Sequence, residues 1–403
     1  MDEASLYEHI LGISKPWLVE HIELVDNTVH VYVCCDSNLK LSCPTCGKKC
    51  ARYDAKPRTW RHLDTCQYQT IVHCDVPRTD CPEHGALQID VPWAQKQGRF
   101  TLMFENLVID WLQELSINAV ARRFSLSWNA VDRIMRDAVE RGMSARTEPD
   151  IRHLSVDEVS RKKGHNYVTV ISNLQGQVID VQSGKNKDAL IRFYKGLARP
   201  RLKSIETISM DMSPAYIHAT LEKIPNAEKK ICFDKFHVIQ DLNKAVDGVR
   251  KTEMTKIATE HRRSLHLSRY IWMRNKEKLT KTHQQIKNQL SQVATKTARA
   301  WSILQYAKTL WDYSDPEAAE KGWKKWYGWA TRSQLMPMKT AAKSIKEKLW
   351  GVINAIVKNR TNAMAESINA KLKMIKVRAK GFRSESRYKI AIMFYLGGLT
   401  LRH

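Results

Sequence analysis

The chain lacks a long apolar run. Its longest, Ile390 to Leu399, holds two glycines and falls far short of the ~20 residues that a membrane span needs. Nor does it open like a leader. Met1-Asp2-Glu3 is acidic, with no apolar core behind a basic region, unlike a secretory signal or transit peptide. The expectation is a chain that stays in the cytoplasm or nucleoid, with no membrane partner. Cysteine is nearly missing outside one stretch: eight of nine lie between Cys34 and Cys81, and Cys232 stands alone beyond. In a reducing compartment that argues against a disulfide framework and for metal binding. Acidic residues are few, 42 against 66 Lys and Arg, giving a formal charge of +24. That balance disfavours ordinary metabolic enzymes and acidic mimics, and favours a polyanionic partner. There is no internal repeat and no low-complexity tract.

What is present is enough for a globular protein of two to four domains. The 403 residues are 43% hydrophobic and 8% aromatic, and a chain of that length buries a core without staples. Residues 1–95 read as strand-rich and cysteine-rich, with Ile22–Val25 and Val29–Val33 forming a hairpin around Asp26-Asn27-Thr28, and Tyr68–Val76 as a further strand. Residues 96–150 read as helical, with Phe104, Leu107, Val108, Trp111, Leu112 and Leu115 at helix spacing. Residues 151–250 alternate: strands at His153–Val159, Tyr167–Asn173, Val178–Gln182, Thr207–Asp211 and Lys230–Asp234, with a helix over Asp188–Leu197. Residues 251–350 read as wholly helical, with 21 Lys and Arg against 8 acids and seven of the twelve tryptophans. Residues 351–403 are helical again, with 11 basic and 2 acidic residues.

Two short motifs match each other. Cys43-Pro44-Thr45-Cys46-Gly47 and Cys81-Pro82-Glu83-His84-Gly85 are both Cys-Pro-x-(Cys/His)-Gly. Ligands three positions apart reach one ion across a tight turn, and glycine supplies the unusual backbone angles. Cys43, Cys46, Cys81 and His84 would close a tetrahedral shell around one structural Zn²⁺. Buried free cysteines with a chance histidine are the alternative. Cys50, Cys66 and Cys74 read as ordinary thiols.

Next comes a helix-turn-helix pattern. Ser116 caps a short helix through Phe124, and Ser127 caps a second that begins at Trp128. Ala119, Val120 and Phe124 face inward on the first; Val131, Ile134 and Met135 do so on the second. If the second helix enters a major groove by its N-terminal end, Trp128, Asn129, Asp132 and Arg133 lie nearest the bases and Arg136 nearer a phosphate. A generic helical hairpin would show the same pattern, and the charge of +24 favours DNA.

Three acids complete the pattern. Leu154-Ser155-Val156-Asp157 and Ile208-Ser209-Met210-Asp211 both alternate apolar and polar, each ending on an aspartate of polar parity. Aspartates ending neighbouring strands can share a Mg²⁺, although such aspartates also serve as turn formers and caps. Asn362, Glu366, Asn369 and Lys373 form a polar stripe on a helix. By composition alone Glu366 could be a solvated charge.

With these motifs in this order, the sequence resembles the ISL-three-type family of prokaryotic insertion-sequence transposases with a DDE catalytic domain, over nearly the whole chain. The resemblance rests on the knuckles and helix-turn-helix; on Ser155-Val156-Asp157-Glu158 and Ser209-Met210-Asp211; on Phe233-Asp234-Lys235-Phe236-His237-Val238; and on Asn362, Glu366 and Ser367 with Gly381-Phe382. It implies a multidomain α/β chain: a zinc-binding β-rich N-terminal domain, a helix-turn-helix, and a ribonuclease H-like core interrupted by an all-α insertion. It implies Asp157, Asp211 and Glu366 as the catalytic triad, with Asp234 and His237 supporting. Glu158 matches too, but strand parity turns it away. The implied chemistry uses two Mg²⁺ ions, with Mn²⁺ able to substitute, to cleave DNA strands at terminal inverted repeats and transfer them to target DNA. Pairing two ends implies a dimer or higher oligomer on DNA. His84 departs from the family, where a cysteine is often expected. Tryptophans of the insertion are expected in its core, with those between Trp323 and Trp329 the exposed exception. Two other functions fit the same parts. One is a sequence-specific regulator whose ribonuclease H-like domain is not catalytic. The other is a structure-selective nuclease of the same fold.

Overall fold

The computed structural model describes residues 3–37, 40–162, 164, 166–359 and 363–403. Two compact units emerge, one of residues 1–146 with 399–403 and one of residues 147–398.

In the first unit, α1 (Glu3–Leu11) precedes a sheet of six strands: β1 (Trp17–Val25), β2 (Thr28–Cys35), β3 (Leu41–Ser42), β4 (Lys49–Thr65), β5 (Tyr68–Cys81) and β6 (Gly85–Gln88). The spatial order is β1-β2-β5-β4-β3, with β6 also on β5. The β1–β2 hairpin turns at Asp26 and Asn27, both in the left-handed region with φ of 47° and 60°, a conformation that Asp and Asn tolerate. Trp17, Trp60 and Trp93 meet edge-on in the core beneath Val31, Val72 and Val76. Three helices follow: α2 (Leu102–Glu114), α3 (Ile117–Arg123) and α4 (Trp128–Ser144). Residues 399–403 return to this unit. There Arg141 donates to the Leu401 carbonyl at 2.5 Å, and His403 pairs with Glu105 at 2.7 Å.

The second unit is built on five strands: β7 (His153–Lys162), β8 (Asn166–Asn173), β9 (Val178–Ser183), β10 (Thr207–Met210) and β11 (Ile231–Phe233), in the order β11-β10-β7-β8-β9. β7, β10 and β11 run parallel; β8 and β9 are antiparallel. Leu154, Val156, Ile208, Met210, Ile231 and Phe233 lie on the alternate positions and are buried in one core. Helices α5 (Lys187–Lys195), α6 (Arg199–Ser204) and α7 (Pro214–Lys223) fall among the strands. After β11 the described elements are all helical: α8 (Lys235–Met254), α9 (Thr259–Leu267), α10 (Lys281–Val293), α11 (Thr295–Thr309), α12 (Pro316–Arg332), α13 (Met336–Glu347), α14 (Leu349–Val357), α15 (Ala363–Arg378) and α16 (Glu385–Leu396). α8 runs through residue 250, where the composition suggested a boundary. None of the described helices is long and apolar enough to cross a membrane.

The helical stretch carries its own buried polar joint. Asp247 receives the Arg250 guanidinium at 2.8 Å, and Glu253 accepts from the backbone of Lys296 and Thr297. Trp323 and Trp326 are sealed in this core rather than exposed, because α12 turns Trp323 edge-on against Trp311 and Trp326 toward the Ile303 carbonyl, which takes the Trp326 indole N–H at 2.9 Å. Trp329, at 37%, is the exposed tryptophan of that run.

Candidate metal centres and catalytic site

Cys43, Cys46, Cys81 and His84 converge, with all four ligand atoms within 4.8 Å of one another. Cys46 and Cys81 sulfurs are 3.8 Å apart, Cys81 Sγ and His84 Nδ1 3.6 Å, and Cys43 Sγ and His84 Nδ1 3.9 Å. A zinc tetrahedron with Zn–S of about 2.3 Å and Zn–N of about 2.0–2.1 Å has edges of roughly 3.6–3.8 Å, so the donor set fits Zn²⁺. Gly47 and Gly85 sit at φ of 72° and 68°, the left-handed angles the knuckle turns require. The hydrogen bond from His84 draws the Cys81 thiol down to about 6, toward the thiolate that binds metal. Cys50 lies beside this cluster, against Cys43 and Cys81.

The helix-turn-helix is capped as its serines suggest. Ser116 accepts from the Ala119 N–H and Ser127 from the Ala130 N–H. On α4 Val131, Ile134 and Met135 are buried, while Asn129 and Arg133 are exposed and Trp128 and Arg136 are half-buried. Asp132 differs from expectation. It is buried at 7%, and Arg136 Nη2 donates to it at 2.9 Å. Its periodicity put it on the outer face, but an i,i+4 partner neutralises it against the helix. On the first helix Val120 is buried, whereas Ala119 and Phe124 are half-buried.

The acids of the second unit are aligned by strand register. Ser209 pairs with Ser155, and Met210 pairs with Phe233. Continuing those registers sets Asp211 beside Asp157 on one flank and beside Asp234 on the other; Asp211 and Asp234 directly follow the C-terminal ends of β10 and β11, whereas Asp157, expected at a strand end, lies midway along β7, which runs on past it in pairing with β8. In open α/β sheets that edge is where ligands bind. The Asp234 N–H donates to the Met210 carbonyl at 3.0 Å, which continues the register. Asp211 folds into a turn by accepting the Ser213 N–H at 3.0 Å, ahead of Pro214 at the start of α7. Asp234 caps α8 by accepting the Phe236 N–H at 2.9 Å, and its other oxygen lies 3.7 Å from His237 Nε2.

Asp157 is held on both oxygens. Oδ1 accepts the Glu158 N–H at 2.7 Å and Oδ2 accepts the Asn369 amide at 2.5 Å. Burial pushes its carboxyl above the usual range. Asn369, the Glu158 N–H and then His237 pull it down, while the charge on Asp211 pushes it up. Glu158, one residue on, occupies the opposite face of β7, 3.7 Å from Lys185.

Glu366 is exposed on the first turn of α15, three residues before Asn369. One helical turn is about 5.4 Å, so the amide contact brings Glu366 near the strand ends. Ile368, Leu372 and Ile375 bury the other face of α15, and Lys376 Nζ donates to the Ser160 carbonyl at 2.8 Å, fixing the helix along β7. Asn362 of the expected stripe lies outside the described residues. Asn369 was placed on that stripe, but its direct hold on Asp157 is a contact across 212 positions that no local pattern announces. Carboxylate oxygens with amide and imidazole neighbours form a hard donor set, which suits Mg²⁺ or Mn²⁺ rather than a soft ion.

Comparison with known proteins agrees with these parts. Residues 154–392 match the ISL3-type DDE family model described as a transposase. Residues 89–139 match the helix-turn-helix domain of transposase family ISL3. Residues 40–84 match the zinc-finger of the transposases of IS204, IS1001, IS1096 and IS1165. The chain is 28% identical over 394 residues to the transposase for insertion sequence element IS1001 of Bordetella parapertussis, covering 95% of this chain and 96% of that one. It is 25% identical over 431 residues to the transposase for IS1557 of Mycobacterium tuberculosis, covering 99% and 96%. A DDE domain implies a divalent metal ion, and the helix-turn-helix implies DNA binding. The catalytic-domain match alone spans more than half of the sequence, and the chain belongs to the ISL3 family of insertion-sequence transposases, as a DDE-type DNA transposase.

Proposed function

We propose that Asp157, Asp211 and Glu366 are the catalytic acids and hold two Mg²⁺ ions, with Mn²⁺ as a functional substitute. The observation that carries this is the register that aligns Asp157 with Asp211, together with the Asn369 amide that ties the Glu366 helix to Asp157. When bound, such ions activate the attacking oxygen and stabilise the leaving oxygen of the scissile phosphate. The chain's own groups position. Asn369 and the Glu158 N–H orient the Asp157 carboxylate, and the Ser213 N–H orients Asp211. Asp234 starts α8 and holds His237 beside the acids, where the imidazole can carry a proton or meet a phosphate.

The substrate is double-stranded DNA: first the terminal inverted repeats of the element, then the target. Trp128, Asn129, Arg133 and Arg136 face the repeats, with Asp132 holding Arg136 in place. Cys43, Cys46, Cys81 and His84 hold one structural Zn²⁺. The sheet with its aspartate edge is ribonuclease H-like, in two parts, 151–250 and 351–403, around an all-helical insertion at 251–350; residues 1–95 and 96–150 form the zinc-binding and helix-turn-helix domains. Joining two ends calls for at least a dimer on DNA.

The test is a plasmid bearing the gene with its native flanks, amplified across newly joined element ends. Wild type yields a junction product and Asp211→Asn yields none while still binding the ends. A product from both would remove Asp211 from the chemistry.

A further inference from the structure

A cavity of about 770 Å³ opens beside the acids. Asp234 and Glu366 line it, together with Lys276, Tyr306, Lys308 and the acids Glu277 and Asp312 from the helical stretch. Its volume falls within the ~300–1,000 Å³ of small-ligand pockets, room for a nucleotide and not for a duplex. Phe236 also lines it and is 52% exposed. The position of that ring is set by the backbone. The Phe236 N–H is fixed on Asp234, and the ring meets His237 edge-on at 5.6 Å, leaving apolar surface uncovered two residues from buried Asp234 on one flank and buried Val238 on the other. The second aromatic, Tyr306, is backed by Trp329 at 6.1 Å. Lys308 Nζ is anchored by the Asn275 side chain at 2.6 Å and the Met273 carbonyl at 3.3 Å. Two aromatic rings and lysine ammonium groups therefore share a nucleotide-sized space with carboxylates.

From this arrangement we infer that the cavity receives one unpaired base of the DNA strand adjoining the scissile phosphate, with Phe236 as its stacking platform. The inference rests on the reading that Asp157, Asp211 and Glu366 hold that phosphate. A phosphodiester inside a duplex is flanked by stacked bases, and taking one out of the stack opens the backbone to the acids. Aromatic stacking compensates the lost stacking without demanding a particular base, and Lys276 and Lys308 would meet the displaced backbone. Phe236 is thereby a positioning residue, since it touches the neighbouring base rather than the reacting atoms.

The full-length chain is tested on duplexes of the element end carrying a single 2-aminopurine at successive positions around the cut, with the divalent ion withheld. Emission should rise several-fold at one position, where the base leaves the stack. Phe236→Ala should still bind the end but lose that rise and, with Mg²⁺ added, cleave about ten- to a hundred-fold more slowly; Phe236→Tyr should restore both. Thermal melting and retained end binding establish that the alanine variant is folded. Wild-type emission that is flat at every position, or a rise that persists in Phe236→Ala, overturns the inference. Asp211→Asn separates the two readings: it should keep the emission rise and lose cleavage. If it cleaves, the acid assignment is what fails, while loss of the rise in Phe236→Ala still supports the base pocket.

Discussion

Asn369→Ala tests the proposed catalytic geometry most directly. The Asn369 amide donates to Asp157 Oδ2 at 2.5 Å, and the Glu158 N–H takes the other oxygen at 2.7 Å. Asp157 is half-buried, and burial already pushes its carboxyl up, with Asn369 the strongest opposing influence. A hydrogen bond to a charged group contributes about 1.5–3 kcal/mol, roughly 10- to 150-fold in an equilibrium constant. Groups that orient metal ligands show a similar sensitivity, about 10- to 100-fold in affinity or activity. End cleavage at sub-saturating Mg²⁺ should therefore fall 10- to 100-fold in Asn369→Ala. Raising Mg²⁺ should recover part of the loss, because the ion competes with the proton for the same carboxylate. The sign of the pH effect follows. Without the amide the carboxyl rises further, so the acid limb of the rate profile moves to higher pH. Asn369 also ties α15 to the sheet, so stability must be separated from chemistry. Lys373→Ala, an exposed change one turn along, should leave the metal dependence alone. Cleavage by Asn369→Ala with a wild-type Mg²⁺ titration and pH profile would refute the reasoning.

Two further outcomes concern the first unit. Metal analysis should find one zinc per chain, and Cys43→Ser should lose it and unfold the ribbon. Structural zinc in small domains contributes about 10–16 kcal/mol of apparent binding energy to folding, and zinc-free but folded wild-type protein would rule this out. His62 predicts acid sensitivity. It is buried, bonded through Nδ1 to the hydroxyl of Thr101 at 2.8 Å, and burial lowers its pKa to about 4. Above pH 6.5 the ring is neutral folded or unfolded. As pH falls from 6.5 toward 4 the unfolded chain takes up a proton that the folded chain refuses, so stability drops by up to about 3 kcal/mol. Urea melts of the wild type should show that loss and His62→Gln should flatten it; identical slopes would exclude His62 as the cause.

Much of this was legible locally. The β1–β2 turn was readable because Asp26-Asn27 accepts left-handed angles between two apolar runs. The serine caps were readable because each hydroxyl satisfies an N–H three residues on. Asp157 within β7 and Asp211 just after β10 stood out because alternation assigns their face, although the alternation did not show that β7 continues past Asp157. What failed to show depends on partners far away. β4 spans 17 residues, many of them exposed and charged, so it has little hydrophobic signature; pairing with β5 along most of its length holds it extended. Asp132 looked like an outward residue because helical periodicity cannot see that Arg136 will cover it. Trp323 and Trp326 looked like candidates for exposure because a basic, aromatic run has the same composition whether it faces solvent or packs on α11. Residues 399–403 look like the end of the last helical stretch, and it is the long-range contacts of Leu401, Arg402 and His403 that place them with α2 and α4.

The three proposed acids are positioned by two different kinds of constraint. Asp157 and Asp211 are neighbours because β7 and β10 are in parallel register, and slipping that register by one residue would move core side chains to the wrong face. Their pairing is therefore protected by the same burial that holds the sheet together. Glu366 has no such protection. It comes from a helix more than 150 positions later, and its place depends on α15 docking along β7. Ile368, Leu372 and Ile375 supply the apolar contact. Asn369 and Lys376 set the translation by bonding to Asp157 and the Ser160 carbonyl, while Arg161 holds the carbonyls of Phe382 and Arg383 just beyond the helix. Two acids set by strand register and one by helix docking divide the site into a rigid half and an adjustable half. A substitution in the docking contacts should weaken catalysis without unfolding the sheet, whereas one in the strand core should do both.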